Sequence, residues 1–407
     1  MAAAANPPST SPALELTWLD HPDALGAIHA EWQALAERTK TDPFLRPAWL
    51  QIWWRHYGAR RRFTCLVARR DQQLVGVMPF VLERLWFGPV PFSVARPACV
   101  DPHVMILRWP VEPEYLPAMF AEAIDHLLHQ HGVLAVSFTP VSEEADHAPV
   151  LRSVAADHPR LALRDHDAGR HVVVDLPPTF EEYLQRISAN RRSQFRRRRK
   201  RLVAEVGMTS DSIVPTADQM DAFVAFHNAH WQERGYGGHY VDWPGAADFY
   251  RELAAHTAED GLLRVDRLHG TPGEMASQFS VVAGDTAHWR LPARMLDPEV
   301  DRLAAGNVIY LLMFEHMIQS GVTRIEAGRG DYTYKIDYGG RYVDVRRLLV
   351  LRKGRVHAVR AWLLLTASDL LHLGYYRIYF SRLIPKIRAV TGRKPRPLWR
   401  IWIRSRV

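Results

Sequence analysis

Two stretches of the chain carry the pattern of a β-hairpin, and this pattern limits the fold more than any other feature of the sequence. In the first, Phe63 to Ala68 and Gln73 to Leu82 are rich in apolar residues, and the polar turn Arg69 to Gln72 joins them. In the second, Met275 to Val282 and Ala287 to Met295 follow the same pattern. In the segments on either side of both hairpins, apolar residues recur at the spacing of a helix. The sequence therefore predicts a mixed α/β or α+β fold and excludes an all-helical protein.

The elements around the second hairpin repeat the order of those around the first. A chain of 407 residues is long enough for two to three compact units. We therefore predict a disordered lead-in at residues 1–13 and two α/β domains, at 14–169 and 170–355, each with a mostly antiparallel mixed sheet. A basic amphipathic helical tail is predicted at 356–407.

The net charge of +8 comes from two local clusters. Arg191 to Arg201 contains eight basic residues in eleven positions, and Leu370 to Val407 contains ten basic residues and no acid. Because the rest is near neutral or acidic, the chain is not built throughout for a polyanion. The first cluster is predicted to be a solvated or substrate-facing helix, and nucleic acid other than tRNA is disfavoured because aromatic platforms are sparse. The tail, with aromatic rings among its cations, fits either an anionic inner-membrane surface, through residues 370–407, or packing against the body.

Cysteine usage and hydropathy indicate the compartment. Cys65 and Cys99 form no CxxC motif, so a disulfide framework and a thiolate zinc site are both disfavoured. No run approaches the roughly 20 apolar residues of a spanning helix. His227 and His230 have the spacing of a metal pair without a third ligand, so we expect histidines at a helix edge and no metal. These features predict a cytoplasmic protein.

A small-residue turn opens a strongly apolar helix near Gly306. The backbone N–H groups of Ala305, Gly306, Asn307 and Val308 would lie in its first turn, where they lack intrahelical acceptors. Small side chains and the helix dipole favour an anion there, a pyrophosphate being the obvious guest. Simple capping of the helix by Gly306 and Asn307 is the alternative.

A cluster of reactive side chains follows the next short strand. Its members are Glu326, Arg329, Asp331, Tyr332, Tyr334 and Lys335. Either carboxylate could accept a proton from an attacking amine or hydroxyl group, and Tyr332 or Tyr334 could protonate a leaving thiolate. Lys335 or Arg329 could hold a phosphate or carboxylate. The alternative is a glycine-rich loop with solvated charges.

Two further segments could contact an acceptor. Gln278 and Ser280 share one face of a predicted strand, where they could bind a hydroxyl group or an amine, or could face solvent. Tyr236 lies in a glycine-rich aromatic loop, Arg234 to Tyr240, that could close over a substrate or simply connect two helices.

Several of these motifs together resemble a known family. They are Ala305-Gly306-Asn307, Glu326-Ala-Gly-Arg-Gly-Asp-Tyr-Thr-Tyr-Lys335, Asp42-Pro-Phe-Leu-Arg-Pro-Ala-Trp-Leu50, and Phe180-Glu-Glu-Tyr183 followed by Asn190-Arg-Arg-Ser-Gln-Phe195. They resemble the bacterial GNAT-superfamily acyltransferases of the BioF2-like or cellulose-biosynthesis CelD-like group, which are relatives of the FemAB peptidyl transferases. The resemblance covers roughly Leu14 to Arg352.

This resemblance implies tandem acetyltransferase-like domains with an acyl-CoA, most simply acetyl-CoA, in the second. The pantetheine would pair with Ala287 to Met295 in a splayed sheet, and the pyrophosphate would bind the Ala305 to Val308 amides. The usual phosphate loop is Q/R-x-x-G-x-G/A, whereas Ala and Asn occupy the small positions of Arg302 to Asn307 here. That departure leaves room for another donor.

The function that the sequence predicts is therefore acyl transfer to an amine or hydroxyl acceptor. The acceptor would be a small molecule or a saccharide, in a context of exopolysaccharide or cell-envelope biosynthesis. Two alternatives stay open. One is FemAB-like transfer from aminoacyl-tRNA, and the other is a non-catalytic accessory role in a polysaccharide synthase.

Overall fold

The protein is built around one mixed β-sheet. The computed structural model describes residues 14–59, 61–99, 104–233, 245–330 and 333–392, and twelve strands of this part form the sheet. The strands are β1 Glu15–Leu19, β2 Arg62–Arg70, β3 Gln73–Phe87, β4 Val90–Pro97, β5 Ala135–Ser142, β6 Leu161–Asp175, β7 Thr209–Ile213, β8 Leu263–Gly270, β9 Gly273–Ala283, β10 Thr286–Arg294, β11 Arg324–Arg329 and β12 Arg341–Arg352. Both predicted hairpins are present, as β2–β3 and β9–β10. The mixed α/β class is confirmed.

The sheet consists of two halves with the same strand order. The full order is β1-β2-β3-β4-β5-β12-β6-β11-β10-β9-β8-β7. In the described part of each half, an antiparallel meander leads to one parallel pair, β4 with β5 and β10 with β11. The two halves exchange their last strands. Strand β12, from the end of the second half of the chain, pairs with β5 of the first half, whereas β6 pairs with β11 of the second half. The fold is a tandem repeat of one α/β unit, and the division predicted at residue 170 falls within β6.

Helices cover both faces of the sheet. The α-helices are α1 His29–Arg38, α2 Pro47–Tyr57, α3 Leu116–His129, α4 His147–Asp157, α5 Phe180–Arg186, α6 Ala189–Val206, α7 Ala217–Glu233, α8 Ala246–His256, α9 Pro298–Leu303, α10 Ala305–Gln319, α11 Thr333–Asp337, α12 Arg355–His372 and α13 Ile384–Thr391. Three short 3₁₀ segments, Pro22–Ile28, Pro43–Leu45 and Pro113–Tyr115, precede α1, α2 and α3, and a π-helical segment, Leu373–Leu383, joins α12 to α13.

One apolar core is shared by the two halves. Residues of α1 and α2 from the first half and of α7 and α8 from the second half form a single buried cluster on one face. Trp49 of α2 meets Phe249 of α8 edge to face, with ring centroids 5.4 Å apart. On the other face, α3 and α4 cover the first half, whereas α5, α6 and α10 cover the second. The shared core and the exchanged strands fix the two halves to each other.

The chain leaves the sheet as a helix after β12. Gly354 has a positive φ of 138°, and α12 begins at the next residue. Ala361, Leu364 and Leu365 of α12 pack against the sheet. The described part of the tail is helical, as the sequence predicts. Among the described helices, none is long and apolar enough to cross a membrane.

The apolar composition of Val104 to Leu107 predicts a strand, but the structure has none there. The apolar run Val104 to Leu107 is buried but pairs with no neighbour as a β-ladder. The carboxylate of Asp42 instead accepts the backbone amides of Leu107 and of Arg108, the latter at 3.3 Å. A side chain far away in sequence thus satisfies two amides at the end of this run, which a ladder would otherwise have to satisfy.

Three other elements differ from expectation. The sequence predicts loops in the proline-rich passage after β3 and at 296–305, and no helix after β5. The structure has strand β4 in the first place, the short helix α9 in the second and helix α4 in the third. In α9, the side chain of Asp297 accepts the amides of Glu299 and Val300, and Pro298 occupies the first turn, where its missing N–H is harmless. Local capping explains this helix.

Candidate active site

Strands β10 and β11 separate halfway along their length. They pair in parallel over three positions, ending at His288 and Glu326. Beyond this point a bulge between Trp289 and Leu291 shifts β10 against β9, and β11 shifts its register against β6. The two strands therefore diverge and leave a wedge-shaped gap in the sheet.

A cavity of about 650 Å³ occupies this wedge, a size that suits a small ligand. The second half of β10, the start of α10 and the end of β11 form its walls. Six predicted site residues line it, namely Gln278, Gly306, Asn307, Arg329, Tyr334 and Lys335. Six of the ten predicted site residues that the structure describes are thus brought together around one opening in the sheet.

The first turn of α10 faces this cavity. Ala304 occupies the N-cap with a left-handed φ of 56°, and its methyl group cannot accept a hydrogen bond from the helix. The Asn307 amide donates to the Ala304 carbonyl at 2.9 Å, which leaves the amides of Ala305 and Gly306 as the candidate donors of the first turn. Because these amides also carry the positive end of the helix dipole, the turn is suited to an anion.

Lys335 is a buried lysine in the cavity wall. Its ammonium donates to the carbonyl of Ala327 on β11 and lies 5.2 Å from the ring centroid of Trp289. The residue is only 8% exposed, and burial lowers the pKa of Lys335 to about 8. A cation held out of water in this way attracts an anionic group and can exchange its proton near neutral pH.

Aromatic rings form one wall of the cavity. Tyr310 of α10 meets Trp289 of β10 edge to face, with centroids 4.9 Å apart. Tyr310 also stacks on Tyr334 of α11 at 5.9 Å. These rings provide flat apolar surface together with phenol groups, which suits a ligand with both apolar and polar parts.

The predicted polar pair on β9 separates in the structure. Gln278 lines the cavity, and its Oε1 accepts a hydrogen bond of 2.8 Å from the indole nitrogen of Trp289. Ser280 is buried, and its hydroxyl donates to the sulfur of Met313 at 3.7 Å. Ser280 is not among the described residues of the cavity wall. Of the two, Gln278 is the one placed to touch a ligand.

Two histidines that we expected at a helix edge bind the backbone of β10. Nδ1 of His227 lies 2.8 Å from the carbonyl of Pro292, and Nδ1 of His230 lies 2.9 Å from the carbonyl of Arg294. A nitrogen that donates to a carbonyl carries the ring proton, so the neutral ring has its basic lone pair on Nε2. Burial lowers the pKa of His227 to about 4. Of the two rings, His230 lines the cavity.

Glu326 projects from the face of β11 opposite to the core beneath α10. Side chains alternate along a strand, and its neighbours Ile325 and Ala327 enter that core. One oxygen of Glu326 accepts from Arg324 at 2.6 Å, and the other lies 3.0 Å from Nδ1 of His171. Burial by itself would raise the pKa of Glu326, but the His171 contact and the Arg324 charge hold that pKa below its usual value. This carboxylate therefore belongs to a buried ion cluster where the halves meet.

We expect Glu326→Gln to lower the free energy of unfolding by about 2 kcal/mol, because it removes a buried carboxylate charge that faces Arg324 and leaves that half-buried arginine with Glu144 as its other acidic partner. The folded pKa of Glu326 is depressed, so its stabilising contribution is present above the unfolded pKa and is lost as pH falls through the folded pKa. Urea unfolding at several pH values measures this. As a control, Glu181→Gln removes a largely exposed ion pair with Arg196 and should cost well under about 1 kcal/mol. Equal costs for the two variants would contradict the buried cluster.

The remaining predicted residues divide into two groups. Arg329 lines the cavity while its guanidinium donates to the carbonyl of Ala168. Tyr236, Asp331 and Tyr332 lie outside the described residues. Their predicted roles stay predictions.

The basic helix α6 is a capped surface helix. The hydroxyl of Ser188 accepts the amide of Arg191 at 3.2 Å, and Gly207 ends the helix in the left-handed conformation. Phe195 and Leu202 are its buried residues, as the thin apolar stripe predicts. The arginines therefore lie on the remaining, outward faces of the helix.

The start of α6 lies beside the cavity. The guanidinium of Arg191 sits over the ring of Tyr338, 5.3 Å from its centroid, and pairs with Asp337. The Tyr338 hydroxyl in turn donates to the side-chain oxygen of Asn307 at 3.3 Å. This connection places positive charge near the first turn of α10.

Comparison with known proteins identifies the second half of the chain. A family model described as "Acetyltransferase (GNAT) domain" matches residues 189–336, which include α6, β10, α10 and β11. No curated protein matches the sequence. The predicted GNAT character is confirmed for this segment, and the BioF2-like or CelD-like assignment stays a prediction.

Solved structures show the same fold at low sequence identity. The structure of FemX is 10% identical and has a TM-score of 0.55, over 78% of this chain and 95% of that chain. A conserved protein of unknown function from Bacteroides thetaiotaomicron is 13% identical, with a TM-score of 0.48 over 80% of this chain and 97% of that chain. L-PGS from Bacillus licheniformis is 13% identical, with a TM-score of 0.49 over 80% of this chain and 92% of that chain. The likeness to FemX supports the fold of this chain and nothing further.

Proposed function

We propose that this chain, which carries a GNAT acetyltransferase domain at residues 189–336, transfers an acyl group from acyl-CoA to an amine or hydroxyl acceptor. The observation that carries the proposal is the wedge between β10 and β11, which ends beneath the uncapped first turn of α10. An extended thioester donor needs a strand edge and an anion site in line with each other. The wedge provides both, and acetyl-CoA is the simplest such donor.

The donor would lie along β10. Its pantetheine amides would pair with the backbone of β10 beyond the bulge at Trp289, where β11 no longer does so. Its pyrophosphate would receive hydrogen bonds from the first-turn amides of Ala305 and Gly306. Arg191, close to this turn through Tyr338, would add positive charge. Ala305 and Asn307 stand where the usual phosphate loop has two small residues. They would not block the pyrophosphate, because the side-chain oxygen of Asn307 is directed to the hydroxyl of Tyr338.

The chemistry is direct transfer between two bound substrates. The acceptor lone pair attacks the thioester carbonyl carbon, the carbon–sulfur bond breaks, and the acceptor loses a proton while the thiolate gains one. We assign Lys335 to stabilise the negative charge that develops, and Tyr334 to protonate the thiolate. His230 would receive the acceptor proton on Nε2, since its Nδ1 donates to the Arg294 carbonyl. Asp331 and Tyr332 keep the roles that the sequence predicts for them.

The acceptor is proposed to be a small molecule or a saccharide of the cell envelope. Beside charged side chains such as Lys335, the cavity wall carries amide and phenol groups, including Gln278, Asn307 and Tyr310. These groups hydrogen-bond hydroxyl groups and neutral amines without requiring a charge on the acceptor.

We expect His230→Asn to lower kcat roughly a hundredfold, because Asn keeps a donor near Nδ1 but has no counterpart of Nε2. The matched control is His227→Asn, one helical turn earlier, where the same bond to a β10 carbonyl is made away from the cavity wall. Steady-state kinetics, with melting temperatures to confirm folding, compare the two. An equal loss of kcat in both variants would show that the histidines act only by positioning α7.

A second candidate donor is aminoacyl-tRNA, and the exposed arginines of α6 favour it. Arg197 and Arg198 form no ion pair with another described residue, unlike Arg196 and Arg199, which pair with Glu181 and Glu315. A basic helix beside the cavity with these two arginines outside the described ion pairs could bind the phosphates of a tRNA acceptor stem.

If tRNA is the donor, Arg197→Ala/Arg198→Ala should weaken tRNA binding and flatten its dependence on salt, by roughly one unit of log–log slope for each residue. The ion-paired control Arg196→Ala should change that slope less. Filter binding at several salt concentrations provides the measurement. Unchanged tRNA affinity and slope in the double variant would remove the observation that favours this donor.

A further inference from the structure

Helix α12 is apolar on two opposite faces. One face is buried against the sheet through Ala361, Leu364 and Leu365. The second face is exposed, and both Trp362 and Leu370 keep 62% of their surface accessible. A helix of a water-soluble domain normally covers its apolar stripe and turns a polar face to solvent. The second apolar face is therefore left in contact with water, where its composition favours contact with another apolar surface.

The exposed residues form a continuous stripe. Those on α12 and at its end are Val356, Val359, Trp362, Leu363, Leu370 and Leu373. Most follow one another at three, four or seven positions, so they lie above one another on the same side of the helix. We call this stripe the outer face of α12. Ile378, Leu383, Ile387 and Val390 continue the exposed apolar surface into the following segment.

Positive charge borders the outer face. The exposed cations along this stretch are Lys353, Arg355, Arg360, Arg377, Arg382 and Lys386. Asp369 is the one acidic residue among residues 353–392, and it is paired with Arg347 at 2.9 Å. Apolar residues flanked by unopposed cations are complementary to a surface that is apolar inside and anionic at its rim.

We propose that the outer face of α12 docks on an anionic lipid bilayer, with the helix lying in the plane of the interface. Val356, Trp362 and Leu370 enter the headgroup and acyl boundary, and the flanking lysines and arginines contact lipid phosphates. A second copy of the chain fits less well, because it would bring a second set of the same cations against the first. Docking at a bilayer would place an enzyme of this kind beside acceptors held at the membrane, but the inference does not depend on the proposed transfer.

Vesicle co-sedimentation of the full chain tests this directly. The wild type is expected to bind vesicles of phosphatidylcholine mixed with phosphatidylglycerol, with weaker binding at high salt and at least tenfold weaker binding to phosphatidylcholine alone. Trp362→Gln/Leu370→Gln should lower the partition coefficient for the mixed vesicles at least tenfold. The control Val203→Gln alters a residue that is 52% exposed on α6 and should leave binding unchanged.

Two variants separate the contributions of charge and of apolar contact. Arg377→Gln/Arg382→Gln should weaken binding to the anionic vesicles and leave the small binding to neutral vesicles unaltered. Equal binding by the wild type and Trp362→Gln/Leu370→Gln would overturn the proposal. It would also be overturned if the wild type ignored vesicles and formed a dimer, in light scattering, that the same double variant dissociates.

Discussion

Replacement of Lys335 by methionine should reduce acyl transfer about a thousandfold and at the same time make the folded protein more stable at neutral pH. The loss of rate follows from the removal of the buried cation that faces the developing negative charge. The gain in stability follows from the cost of keeping that cation out of water, which the lowered pKa of about 8 reports. A buried charged side chain that lowers the stability of the fold but lines a cavity is typical of a functional site.

The stability difference has a defined dependence on pH. Between about 8 and the usual value of 10.5, the unfolded lysine binds a proton that the folded one has released. Wild-type stability therefore rises with pH across this window relative to Lys335→Met, by about 3 kcal/mol in total. Chemical unfolding of both proteins at pH 7 and above pH 10 measures it. A constant difference would contradict a desolvated ammonium at this position.

A second variant distinguishes charge from simple hydrogen bonding. Lys335→Gln keeps a donor for the Ala327 carbonyl but carries no charge. If the ammonium acts on the reaction, both variants lose activity, and the fall in wild-type kcat/KM above about pH 8 is absent from their residual rates. If Lys335 only fastens α11 to β11, the glutamine variant should retain most of the activity. That retention would overturn the catalytic assignment.

Substitution of Gly306 by aspartate should abolish donor binding. An added Cβ at this position meets little besides the side chain of Arg294, at 3.4 Å from its Cδ, so a larger side chain can extend into the cavity. An aspartate there places a negative charge on the turn that would hold the donor phosphates, and like charges repel strongly at this distance. Saturating acetyl-CoA should raise the melting temperature of the wild type and leave that of Gly306→Asp unchanged.

The control for this variant is Gly306→Ala. The φ of Gly306 is not in the left-handed region, and alanine favours a helix over glycine, so the backbone should tolerate it. The neighbouring Arg294 side chain is flexible enough to yield to one methyl group. We expect donor affinity within a few-fold of the wild type. Loss of binding in the alanine variant would mean that bulk rather than charge closes the site, and normal binding by Gly306→Asp would place the donor elsewhere.

Hairpins and helices could be predicted from the sequence because their patterns are local. The alternation of residues 63–82 and 275–295 identifies both hairpins, and the small residues before α10 identify the start of that helix. The failure at Val104 to Leu107 has a different cause, since Asp42 supplies a carboxylate from 65 residues earlier. The exchange of β6 and β12 could not be predicted, because either strand offers the same antiparallel edge to either half.

In the candidate site, too, features within one segment can be predicted from the sequence, whereas contacts between distant segments cannot. The density of reactive residues after β11 predicts that Lys335 and Tyr334 belong to the site. It does not indicate which residues of β11 face the cavity and which face the opposite side of the sheet. Glu326 belongs to the opposite face from Ala327, as strict alternation along β11 could have indicated. The role proposed for His230 could not be predicted from the sequence, because it depends on a contact with a β10 carbonyl 64 residues away.

Hydrogen–deuterium exchange of the wild type with and without acetyl-CoA tests the central claim most directly. We predict protection of the amides in Thr286–Arg294 and at Ala305 to Val308, with little change in the first half of the sheet. Binding of acetyl-CoA without protection of these two segments would contradict a donor site between β10 and β11. No binding at all would contradict acyl-CoA as the donor and would leave aminoacyl-tRNA or an accessory role.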